Sequence, residues 1–105
     1  MEIKVLYVCP GQEPYVKEID NSLKGCQDLV GGLIELFYPF DDGSMFFCND
    51  EGKINGMQFN REIVSEIFHD YISGPFFICE GDDEGNLTSI SDELANKYKA
   101  MFSLR

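Results

Sequence analysis

Positive charge is scarce in this chain. Eight Lys and Arg stand against nineteen Asp and Glu in 105 residues, a net charge of −11 at pH 7. Nucleic-acid affinity comes mainly from Lys and Arg displacing counterions from phosphates. A polyanionic surface therefore disfavours direct DNA or RNA binding, and it disfavours attachment to an anionic membrane leaflet. Long apolar runs are also missing. No stretch of about 18 apolar residues is present to form a membrane-spanning helix. The opening Met1-Glu2-Ile3-Lys4-Val5 has no basic region followed by a long apolar run, so no signal peptide is expected. The expected location is the cytoplasm.

The common chemical motifs are absent too. Cys9, Cys26, Cys48 and Cys79 lie 17, 22 and 31 residues apart, which matches no CxxC metal or redox pattern. Their apolar surroundings read as buried, reduced thiols; a disulfide pair in a secreted chain is the alternative. Glu51, Asn55, Gly56 and Glu62 fall at positions 1, 5, 6 and 12 of an EF-hand-like loop. Position 3 is then Lys53, a cation where calcium needs an oxygen, and the reading fails. Gly31-Gly32 follows a helical pattern, whereas a phosphate cradle precedes a helix, so this pair reads as a helix stop. His69 is the single histidine, and no GxSxG, HExxH or Walker loop accompanies it. It is assigned a surface or capping role.

What is present is apolar material for one modest core. Hydrophobic residues make up 44% of the chain, with nine Phe and five Tyr, too much for a disordered segment. At this mass the folded surface is expected near roughly 6,000 Å², about a third of the extended chain's. One domain over residues 1–105 is expected. The acids are spread along the chain, with a dense group at Asp82-Asp83-Glu84. They read as a solvated surface or as the complement of a basic partner met by electrostatic steering.

Residues 2–9 read as a central strand covered on both faces, stopped by Pro10-Gly11. Residues 14–19 give a second strand in a hairpin with the first. Asp20-Asn21-Ser22 offers helix caps, and Leu23, Cys26, Leu29 and Val30 then mark one helical face ended by Gly31. Residues 33–38 and 44–49 are strands separated by the turn Pro39-Phe40-Asp41-Asp42-Gly43. In Asp50-Glu51-Gly52, the glycine suits positive φ. Residues 53–59 read as a short strand or ordered loop. Asn60 is placed to cap a helix over 61–72, with Ile63, Val64, Ile67, Phe68 and Tyr71 inward and an acidic stripe of Glu62, Glu66 and Asp70 outward. Residues 76–79 form another apolar strand, 80–86 an acidic loop and 87–89 an edge strand. A last helix over 91–102 docks through Leu94, Tyr98, Met101 and Phe102. The fold class is α+β, a mixed, mostly antiparallel sheet of about five or six strands with two or three helices.

The paired acids Asp41-Asp42 and Asp82-Asp83 read as turn residues; a divalent-ion site there would be weak, and no metal or cofactor is expected. Arg61 is one of two arginines, so in this acidic chain it is expected to hold a carboxylate or carbonyl in a bidentate bond, with ligand anchoring as the alternative.

Several ordered phrases carry a further signal. They are Pro10-Gly11 with Pro14-Tyr15-Val16-Lys17-Glu18-Ile19; Leu29-Val30-Gly31-Gly32 with Ile34-Glu35; and Tyr38-Pro39-Phe40-Asp41-Asp42. Cys48-Asn49-Asp50-Glu51-Gly52-Lys53, Asn60-Arg61, Ile72-Ser73-Gly74-Pro75-Phe76-Phe77-Ile78 and a closing Ser91-Asp92-Glu93 before the Tyr98 helix continue the series. Over nearly its whole length the chain resembles the DUF3846 family, a domain of unknown function. That resemblance implies a small protein of bacteria, phages or conjugative elements, and supplies no catalytic residues. Among the matching positions, Tyr38, Asp41, Asp42, Asn49 and Arg61 are those least explained by chain shape, and they are the candidate ligand or partner residues.

The leading expectation is a non-enzymatic accessory protein of a mobile genetic element, acting by contact with a protein partner, basic in charge. A small-ligand or nucleotide-binding module is the alternative. A DNA mimic and an enzyme are less favoured. Eleven charges match about 19 Å of duplex at one charge per about 1.7 Å, but the acids are dispersed in sequence. An enzyme would have to rest on His69 or Arg61.

Overall fold

The structure, a computed structural model, describes residues 1–104. Strands β1 (Glu2–Val8) and β2 (Tyr15–Asp20) form the expected hairpin, and helix α1 (Leu23–Val30) follows. Then come β3 (Ile34–Phe37), β4 (Met45–Asn49), β5 (Phe59–Val64), β6 (His69–Ser73), β7 (Phe76–Gly81), β8 (Leu87–Thr88) and α2 (Asp92–Met101). The main sheet runs β2-β1-β7-β4-β3, with β8 paired to β7, and its pairings are antiparallel. The fold is α+β, an antiparallel sheet of six strands with two helices.

The apolar runs of β1, β4 and β7 arise because both faces of the sheet are covered. Ile3, Val5, Phe47, Phe77 and Cys79 point to one face and pack under Cys26, Leu29 and Val30 of α1. Leu6, Val8, Phe46, Phe76 and Ile78 point to the other and meet Tyr98 and Phe102 from the C-terminal helix region. The accessible surface of 6086 Å² matches the expectation from mass.

Local chemistry sets both helix starts. Of the three cap candidates, Ser22 caps α1, its side chain accepting from the Gly25 amide; Ser91 caps α2 by accepting from Leu94. Gly31, at φ 79°, ends α1 as the sequence predicts. Leu23 is solvent-exposed, one turn too early to reach the sheet. Met101 is exposed as well, and Ala95 packs in the core alongside Tyr98 and Phe102. Cys26, Cys48 and Cys79 are buried free thiols, whereas Cys9, at the strand end, is only partly covered.

The helix expected over 61–72 does not form. Residues 59–73 make the two-stranded hairpin β5–β6, pairing Glu62 with Tyr71, Ile63 with Asp70 and Val64 with His69. The β-branched Ile63, Val64 and Ile72 suit a pleated surface, and Ile63 and Ile72 enter the main core. The turn closes by donation from the Ser65 amide to the Phe68 carbonyl at 2.7 Å. Asn60 is therefore no helix cap. It is buried in β5, and its Nδ2 donates to the carbonyls of Val8 and Gly74, both at 2.9 Å, fastening hairpin to sheet. The acidic stripe dissolves accordingly: Glu62 faces His69 and Asp70 faces Lys53.

Gly52 is required for a different reason than positive φ, which Gly56 adopts instead. A Cβ on Gly52 would stand 2.4 Å from the Ser73 carbonyl oxygen, so only glycine allows the 50–56 turn to lie against β6.

Candidate functional site

Edge strand β3 and the β5–β6 hairpin are bridged by Phe37 and Phe68, whose stacked rings lie 5.3 Å apart. Beside this bridge is a cleft of about 250 Å³. Its apolar lining includes Phe37, Phe68, Tyr71 and Ile54. Acidic residues line it from three elements: Glu35 from β3, Asp50 and Glu51 from the turn after β4, and Asp70 from β6. Among the described residues, Lys53 is the only cation in the lining.

That lysine is already engaged. Its Nζ donates to Asp70 Oδ1 at 2.6 Å and stands 4.2 Å above the centre of the Tyr71 ring. The Asp70 carboxyl is lowered by this Lys53 hydrogen bond and by donation from the Tyr71 amide. Among the described residues no ion pair neutralises Glu35, Asp50 or Glu51. The negative field is felt by the buried Cys48 thiol, 3.9 Å from Glu35 Oε1. Burial first, then Glu35 and Asp50, push that thiol up to about 12. Cys48 is thus a neutral wall of the cleft and no nucleophile at ordinary pH.

The five residues singled out from sequence do not converge. Tyr38 and Asp41 line a second, shallower groove of about 550 Å³ with Phe40, Glu66 and Ile67. Asp42, the next residue, turns inward. Its carboxylate accepts from the Ser44 amide at 3.0 Å, the Ser44 hydroxyl at 2.5 Å, Lys97 at 2.7 Å and the Tyr98 hydroxyl at 2.5 Å. Burial alone would raise this carboxyl, but donation from Lys97, Ser44 and Tyr98 outweighs it and holds the group far below the usual carboxylate range. Burial and Asp42 together push the Tyr98 phenol well above its ordinary value. Asp42 fastens α2 to the β3–β4 loop.

Asn49 borders the first cleft, yet its side chain is spent on the backbone. Nδ2 donates to Val30 at 3.0 Å and Oδ1 accepts from the Glu51 amide at 2.8 Å. Arg61 is buried elsewhere and holds carbonyls, as expected. Nε donates to Phe102 at 3.0 Å, and Nη2 donates to Gln12 at 2.6 Å. Nη1 donates to Asn60 Oδ1 at 2.6 Å and to the Cys9 carbonyl at 3.4 Å. It ties the β1–β2 turn, the hairpin and the end of α2 together. Asp82 likewise holds its own loop, accepting from the amides of Glu84 and Asn86 at 2.9 Å each. His69 is exposed beside Glu62. Among the described residues no group of three or more His, Cys, Asp or Glu is arranged to hold a metal ion.

Sequence reading missed the acidic, aromatic cleft because one wall is the hairpin that it read as a helix. The available signal was the phrase Cys48-Asn49-Asp50-Glu51-Gly52-Lys53, which supplies the opposite rim.

These features define an antiparallel α+β protein with an acid-lined cleft at its sheet edge. The chain belongs to the DUF3846 family, described as a domain of unknown function, whose model matches residues 3–103. No curated protein and no solved structure matches it. No helix among the described residues is long and apolar enough to cross a membrane.

Proposed function

We propose that this protein is a non-enzymatic accessory module, in the cytoplasm and in the service of a mobile genetic element, that works by binding a basic protein partner. The observation that carries the reading is the cleft beside the Phe37–Phe68 stack, where Glu35, Asp50 and Glu51 have no ion pair among the described residues. Carboxylates around an apolar wall favour a cationic group and repel a phosphate. That counts against the nucleotide alternative, as does size: about 250 Å³ is below the roughly 300–1,000 Å³ of pockets that enclose whole small ligands. Exposed Ile54 and Ile67 flank the cleft and the neighbouring groove and offer apolar area to a protein surface. Free thiols at all four cysteines suit a reducing compartment.

The test is affinity capture by the tagged protein at low and at moderate salt, with mass-spectrometric identification. A basic protein retained at low salt and released at moderate salt supports the reading, because exposed charge pairs weaken as the screening length falls. Absence of any enriched protein at both salts refutes it.

A further inference from the structure

We infer that the cleft between β3 and the β5–β6 hairpin is the seat of a single arginine side chain from the partner, its guanidinium ringed by Glu35, Asp50 and Glu51 and its stem laid along Phe37 and Phe68. This inference rests on the basic-partner reading and sharpens it to one site and one residue type.

Three observations carry it. The volume, about 250 Å³, is on the scale of one long side chain. The acidic lining residues come from a strand (Glu35) and from a turn (Asp50 and Glu51), so negative charge borders the cleft from more than one side and suits donors pointing in several directions. A guanidinium presents five donors in a planar fork and stacks on aromatic faces, whereas an ammonium is a compact, strongly hydrated point. Third, the protein shows the chemistry of the occupant within itself. Lys53 places its own ammonium against a carboxylate and over an aromatic ring in this cleft, at 2.6 Å from Asp70 and 4.2 Å from the Tyr71 centroid. Lys53 is exposed and sits in a turn, so it can swing aside as a partner enters. Its charge opposes an incoming cation, which makes it a built-in competitor.

The experiment uses fluorescein-labelled hexa-arginine and hexa-lysine peptides, read by anisotropy, with amide chemical shifts locating the bound probe. Hexa-arginine is expected to bind about threefold or more tighter than hexa-lysine, with shifts centred on Phe37, Ile54, Phe68 and Tyr71. The pair Glu35→Gln and Glu51→Gln should weaken hexa-arginine by roughly 2–25-fold, at about 1.4- to fivefold per exposed charge pair. The pair Asp83→Asn and Glu84→Gln removes the same charge from the 80–86 loop and should leave affinity within about twofold. Lys53→Met should tighten binding. Equal losses in the two double variants, or shifts centred on the 80–86 loop, would overturn the cleft while leaving a diffuse acidic interaction standing. Equal affinity for the two peptides would overturn the arginine assignment. Failure of both peptides to bind would overturn the cleft and the basic-partner reading together.

Discussion

Replacing Asp42 by Asn tests whether the end of the fold is pinned by a charge. The substitution preserves size and removes the negative charge that accepts from Ser44, Lys97 and Tyr98. Ser44 and Tyr98 are fully buried, and the Asp42 side chain is 19% exposed, so solvent screening discounts the effect only slightly. Hydrogen bonds to a charged group contribute about 1.5–3 kcal/mol against about 0.5–1.5 for neutral ones. Losing the charge at two buried donors therefore costs about 2 kcal/mol, and the Lys97 pair adds up to about 1 kcal/mol. The expected destabilisation of about 2–3 kcal/mol corresponds to a fall in Tm of roughly 10–15 °C for a domain of this size.

The pH dependence carries a definite sign. The folded Asp42 carboxyl lies far below its unfolded value of about 3.9. Its contribution is fully present above the unfolded value and is lost as pH falls through the folded one. Urea unfolding, followed by far-UV circular dichroism because the chain has no Trp, should be compared for wild type and Asp42→Asn across the acid range. The other acids titrate in both proteins, so their effect largely cancels in the difference. The gap should be widest above about pH 4 and narrow below it. Equal stability at neutral pH, or a gap that does not change with pH, would refute the assignment of Asp42 as a charged clasp.

Two further outcomes are expected. Arg61→Lys keeps the charge but cannot span the carbonyls of Phe102, Gln12 and Cys9, so it should destabilise by about 3–6 kcal/mol at two lost charge-assisted bonds, measured by urea unfolding. Alkylation of the native protein near neutral pH should label Cys9 alone, because Cys26, Cys48 and Cys79 are buried and burial pushes Cys48 and Cys79 up to about 12. Four labels should appear in denaturant, and rapid native labelling of any buried thiol would contradict the packing.

The sequence-level reading succeeds where pattern and burial agree. Residues 5–8 and 76–79 are apolar without alternation, and they fall in the central strands β1 and β7, covered by α1 on one face and by α2 and the hairpin on the other. Gly31 and Ser91 are legible because a helix end imposes its own stereochemistry wherever the helix lies. The 61–72 segment fails for an equally physical reason. Its apolar residues recur at helical spacing, and the turn at Glu66-Ile67 contains no Gly, Asn, Asp or Pro to announce a hairpin. The hairpin prevails because its tertiary partners outweigh local periodicity. Asn60 and Arg61 satisfy carbonyls of five other residues, namely Val8, Gly74, Phe102, Gln12 and Cys9, and those bonds require the two consecutive side chains to be buried in an extended segment.

That failure and the hidden site have one origin. Read as a helix, residues 61–72 put Glu62, Glu66 and Asp70 on one solvated stripe and Phe68 in the core. Read as a hairpin, the same residues separate: Glu62 pairs with His69, Asp70 turns to Lys53, and Phe68 reaches β3 to stack on Phe37. The cleft therefore exists only once the hairpin stands against the sheet edge. Asn60 and Arg61, which lie outside the cleft lining, act on the cleft by holding that wall upright. A variant such as Asn60→Ala, which leaves every cleft residue intact, should therefore weaken hexa-arginine binding and lower amide protection in the β5–β6 hairpin by more than in the β1–β2 hairpin. Equal protection loss in both hairpins would place Asn60 in the global core and would separate the wall from the site.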